Sequence, residues 1–90
     1  MDDLYIAALK QWGGDAQMVV AIEEMSELQK ELCKNIRGRE NREAIAEEIA
    51  DVRIMLDQME ILHGCKRLAR EYKAKKLSRL QERIEAAKER

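Results

Sequence analysis

The chain contains no proline, so glycine supplies its only strong backbone punctuation, at Gly13-Gly14, Gly38 and Gly64. These positions cut 90 residues into four stretches with no helix breaker inside any of them. There is no Phe, and the apolar set is dominated by Ala, Ile, Leu and Met. Such stretches favour helix over strand. The spacing predicts a first helix over about Asp3–Trp12. Asp15 stands where an N-cap belongs and opens a second helix running to about Ile36, which Gly38 closes. Asn41 is placed to cap a third helix reaching about His63, with Glu43 in its first turn. Gly64 then separates a fourth helix from about Lys66 to Lys88, whose Leu77, Leu80, Ile84 and Ala87 form one apolar stripe. The expectation is a single all-α domain over residues 1–90.

Acids outnumber bases roughly two to one over residues 1–62, whereas bases predominate over residues 63–90. An acidic body with a basic tail suits a metal-binding body with an anion-binding arm. No apolar run approaches the roughly 20 residues needed to span a bilayer, so no membrane partner is expected. Cys33 and Cys65, without a secretion signal, read as reduced packing thiols of a cytoplasmic protein. A helical domain this small and without disulfides often completes its core by self-association, so a homo-oligomer is expected.

Placing each helix on a wheel exposes one anomaly. Taking about 100° per residue with Glu48 at zero, Ala44, Met55, Met59, Val52, Ile45, Leu56, Ile49 and Leu62 cover roughly −40° to +100°. Glu48 falls inside this apolar arc, and Asp51 lies at its edge. A carboxylate on an apolar stripe must be paired, protonated or metal-bound, because burying it alone costs several kcal/mol. On the second helix Glu24 sits at the margin of an arc containing Ala21, Met25, Leu28 and Leu32, with Glu27 one turn on. Residues at i and i+3 share a face, so an antiparallel pair of these helices would converge four carboxylates. An all-oxygen site of that kind suits Mg²⁺ or Mn²⁺. The structural rival is a buried salt bridge from Glu48 to Lys34 or Arg53.

Glu23-Glu24-Met25-Ser26-Glu27-Leu28, followed by Glu47-Glu48-Ile49-Ala50-Asp51-Val52, resembles the MazG-like, all-alpha NTP pyrophosphatase superfamily. Its hallmark is Glu-x-x-Glu, a loop, then Glu-x-x-Asp, matched by Glu24/Glu27 and Glu48/Asp51. Trp12-Gly13 ahead of Gln17 is also similar to the family's approach to its second helix. The likeness covers roughly residues 10–63 well and the last helix loosely. It implies a four-helix bundle completed by homo-oligomerisation into a dimer or tetramer, with the catalytic hairpin at about residues 15–63. It implies hydrolysis of a nucleoside triphosphate to the monophosphate and pyrophosphate. Glu24, Glu27, Glu48 and Asp51 would then be the catalytic metal ligands, and bound Mg²⁺ would activate water for attack at the α-phosphate. Glu23 matches the family's doubled Glu and would stand behind the ligands.

The fourth helix offers cations for the phosphates. Lys73, Lys76 and Arg79 share a face within a span where Glu71 is the only acid. Trp12 reads as a core or interface anchor, Tyr72 as packing, and His63 as a capping or solvated residue. Nucleic acid is not an expected partner of the hydrolase. The rival function is a non-catalytic helical module that binds nucleic acid, or regulates, through the basic last helix. That rival leaves Glu48 unexplained.

Overall fold

A computed structural model describes residues 2–89, which form four helices: α1 (Asp2–Trp12), α2 (Gly14–Ile36), α3 (Arg42–Leu62) and α4 (Lys66–Lys88). The fold class is all-α, with no strand among the described residues. No helix among them is long and apolar enough to cross a membrane.

Glycine sets the corners as the sequence requires, with one correction. Asp15 is not the cap of α2: Gly13 is, at φ 89°, and Asp15 lies inside the first turn. The helix starts earlier because only glycine adopts that backbone readily and because α2 begins pressed against the end of α3. A Cβ on Gly14 would lie 2.9 Å from Leu62 Cδ1. The other two corners share one device. Beyond α2, Gly38 N–H donates to Asn35 O at 2.9 Å and Arg39 N–H to Lys34 O at 3.1 Å. Beyond α3, Gly64 N–H donates to Ile61 O at 3.2 Å and Cys65 N–H to Glu60 O at 3.0 Å. Both are Schellman caps with glycine in the left-handed region, at φ 98° and 58°.

The α2–α3 hairpin is the centre of the molecule. Gly14 meets Leu62, Glu24 groups with Glu48 and Asp51, and Glu31 bonds Asn41, so the chains run antiparallel in one register. Asn41 does precede α3, yet it makes no side-chain cap bond. Its Nδ2 instead donates back across the turn to Glu31 O at 2.8 Å and Glu31 Oε1 at 2.9 Å. Asn35 Nδ2 donates to Asn41 Oδ1 at 3.2 Å. The short α1 packs on both hairpin helices and buries Tyr5, whose hydroxyl makes a long 3.5 Å contact with Asp57 Oδ2.

Three expectations need correction here. The last helix does not cover the hairpin: α4 packs against α3, reaches α1 only through a 3.9 Å Lys66–Asp2 ion pair, and buries none of its described residues. Its apolar stripe is unopposed within one chain, so nothing draws it back onto α2. The thiols do not pack as expected either, since Cys33 is exposed and only Cys65 is half-buried. Trp12 is likewise no core residue of the chain, being 63% exposed.

Candidate metal centre

Glu24 on α2 and Glu48 and Asp51 on α3 each offer a carboxylate oxygen within 4.8 Å of the others. All three are half-buried. The hairpin register produces this meeting, because Glu48 and Asp51 share a face of α3 and Glu24 comes level with them from α2. Glu27 lies one turn further along α2, exposed and outside the three-oxygen group. Its charge is still felt by both Glu24 and Glu48. Glu23 is exposed. Lys73, Lys76 and Arg79 are exposed on α4, and no contact among the described residues brings that helix to α2.

The electrostatics of the cluster are unfavourable as it stands. Burial raises the Glu48 carboxyl above its ordinary value, with Asp51, Glu27, Glu47 and Glu31 adding repulsion. Burial also raises Glu24, followed by its hydrogen bond to Asp51 and the charges of Asp51, Glu48 and Glu27. Glu48 Oε2 is sealed from solvent and has no hydrogen-bond partner. The structural rival read from sequence is not found among the described residues: neither Lys34 nor Arg53 pairs with Glu48, and Lys34 binds Glu31 Oε2 at 3.1 Å.

Glu31 shows what a finished half-buried carboxylate looks like on the same helix. Hydrogen bonds from Asn41 and then Lys34 hold its carboxyl below the ordinary value, against the opposing effect of burial. Seven residues away, Glu24 has carboxylates for neighbours instead of a lysine and an amide. The hairpin supplies counter-charge and donors at one level and withholds them at the next.

The residues fit a hard divalent cation. The donors are all carboxylate oxygens, as magnesium prefers, and one sealed oxygen lacks any proton donor. Two oxygens on opposite sides of one Mg²⁺ lie about 4 Å apart, so small side-chain movements would close the three onto a single ion.

Two buried amides lie about two helical turns along the hairpin from this cluster. Gln58 on α3 and Gln17 on α2 are among the most buried residues, at 5% and 6% exposure. The wheel puts Gln58 within about 20° of Asp51, but an uncharged amide at the edge of an apolar arc raises no conflict to notice. The chain matches no protein-family model, no curated protein and no solved structure.

Proposed function

We propose that the chain is a metal-dependent nucleoside triphosphate pyrophosphohydrolase, converting a (d)NTP and water to the (d)NMP and pyrophosphate. The observation that carries this reading is the sealed, unpartnered Glu48 oxygen inside a three-carboxylate group. Glu24, Glu48 and Asp51 would hold Mg²⁺ or Mn²⁺, with Glu27 close enough to join as a fourth ligand or to take a proton from water. The ion, when bound, neutralises phosphate oxygens and makes water a better nucleophile towards the α-phosphate. The carboxylates also orient the triphosphate, because its oxygens are drawn only to the positive side of an occupied site. The MazG-like resemblance of the two Glu/Asp motifs supports the same chemistry.

The functional unit in this reading is a homo-oligomer. Apolar side chains stay exposed on every helix, including Ile22, Ile36, Leu56 and Leu77, while among the described residues only Tyr5, Ala21 and Met55 form a buried apolar core. A partner's α4 would then bring Lys73, Lys76 and Arg79 towards the phosphates. The nucleic-acid module remains the rival, favoured by the outlying position of α4 and its basic surface, but it leaves the Glu48 oxygen unexplained.

The test is pyrophosphate release from a panel of canonical and modified nucleoside triphosphates, with Mg²⁺, Mn²⁺ or EDTA. Metal-dependent release that drops at least about 100-fold in Glu48→Gln supports the assignment. No release from any triphosphate by the folded, metal-loaded protein overturns it.

A further inference from the structure

A cleft of about 330 Å³ lies between α1 and α3, lined by Tyr5, Gln11, Trp12, Ile54 and Gln58 among others. Trp12 also forms a wall of a second cleft, of about 430 Å³, whose lining includes Gln17. The sole tryptophan of the chain therefore stands between two recesses, each with a buried glutamine in its lining. Neither glutamine side chain makes a hydrogen bond among the described residues, and Gln58 Oε1 is sealed without a donor. Turning the Gln58 amide over exchanges its oxygen and nitrogen but leaves one polar end unpaired in either setting. A buried amide left in that state is costly, roughly 1–3 kcal/mol for the missing bond. An apolar residue would fill the same space without that cost.

The position of this amide relative to the carboxylates gives it a use. Gln58 follows Asp51 by seven residues, which puts it on the same face of α3 and about 10.5 Å further along the helix. Gln17 precedes Glu24 by seven on α2, so the antiparallel register brings the two amides level with each other. A ligand held by its phosphates at the carboxylate cluster therefore reaches this level with its far end. A planar heterocycle there would find an aromatic ring to stack on and, once the sealed Gln58 amide turns towards the cleft, a donor and an acceptor that match the edge of a base.

We infer that the cleft between α1 and α3 is a nucleobase-binding subsite, with Trp12 stacking on the ring and Gln58 reading its hydrogen-bonding edge. The inference rests on the hydrolase reading for the direction in which the nucleotide lies, and on the cleft itself for the base. It also locates substrate selection away from the metal ligands. Removing the partner of a base's donor or acceptor discriminates far more strongly than altering apolar contacts, because a buried polar group is left unpaired.

The experiment is a titration of the full chain in EDTA with free nucleosides and deoxynucleosides, followed by Trp12 emission. Saturable quenching is expected from at least one of them, and none from ribose 5-phosphate or inorganic pyrophosphate. Gln58→Leu should weaken the best-bound nucleoside at least about tenfold while helicity is retained. Gln58→Met serves the same purpose should the branched side chain not fit. Absence of quenching by every nucleoside overturns the subsite, as does a Gln58→Leu protein that binds all of them like the parent. Trp12 emission that shifts with protein concentration and ignores nucleosides also overturns it, because a second copy then occupies the cleft. Quenching without triphosphate hydrolysis keeps the subsite and removes the hydrolase; hydrolysis without quenching does the reverse.

Discussion

Glu48 and Glu31 make opposite predictions from similar surroundings. Both are half-buried carboxylates of the hairpin, but Glu31 is held below its ordinary value and Glu48 above it. Below the ordinary value of 4.5, Glu48 is protonated in folded and unfolded chains alike. Between that value and the raised one, the folded chain holds more protons, so stability falls as pH climbs through the interval. Glu24 adds to the same slope. Glu31 works in the other window: its contribution is present above 4.5 and is lost as pH falls through its lowered value. In EDTA, the parent should therefore lose thermal stability more steeply than Glu48→Gln does as pH climbs from 4.5 through the raised Glu48 value. Magnesium should raise the midpoint at neutral pH and do little near 4.5, where protons hold the site. Parallel pH profiles for parent and Glu48→Gln would remove the electrostatic argument. Glu48→Gln should also keep or gain stability without metal, since it replaces a repelled charge by an amide. Calorimetry with and without Mg²⁺ reads both effects.

At the scale of the elements, the hairpin turn is held by two separable devices. Gly38 sits at φ 98°, so Gly38→Ala should destabilise by about 1–2 kcal/mol through backbone strain alone. Asn41→Ala should cost about 1–3 kcal/mol, because Glu31 loses two hydrogen bonds in a nearly closed site. Urea denaturation measures both, and an Asn41→Ala protein as stable as the parent would show that the network is incidental. These elements also mark what the sequence could disclose. Three glycines at helix ends and unbroken runs of helix formers between them made all four helices legible to within a residue or two. The meeting of Glu24, Glu48 and Asp51 was legible too, because a charge inside an apolar arc conflicts with its own surroundings. Asn41 was readable as the residue before α3 but not as a tie to Glu31, since that bond depends on how the turn folds back. The burial of Gln17 and Gln58 gave no signal, although Gln17 stood in the motif, because an amide carries no charge and violates no periodicity. The position of α4 was hidden for another reason: its stripe states that something is buried against it, not which surface.

That missing surface decides the behaviour of the whole molecule. The radius of gyration is 16.5 Å, whereas a compact chain of this length would have about 12 Å. The excess comes from α4, which is about 34 Å long and packs on α3, with one long Lys66–Asp2 ion pair to α1 at its start. A helix this exposed is marginal in water by itself, and most helical stability in proteins comes from burying an amphipathic face. Leu77, Leu80 and Ile84 remain 55%, 49% and 48% exposed, so the face exists and is unburied within one chain. Its basic residues complement the acidic hairpin that a second copy would present. Light scattering should therefore return a multiple of the 10.5 kDa chain mass, with a thermal midpoint that rises with protein concentration. Leu80→Asp should reduce the mass and lower helicity together. Lys76→Glu separates assembly from phosphate contact: it should leave the mass unchanged while lowering kcat/KM for a triphosphate about tenfold or more, a loss of at least 1.4 kcal/mol in transition-state stabilisation. If Leu80→Asp removes activity and Lys76→Glu does not, α4 serves only to join the copies. If a fully helical 10.5 kDa monomer turns over triphosphates, the hairpin needs no partner and the basic helix must act on something else.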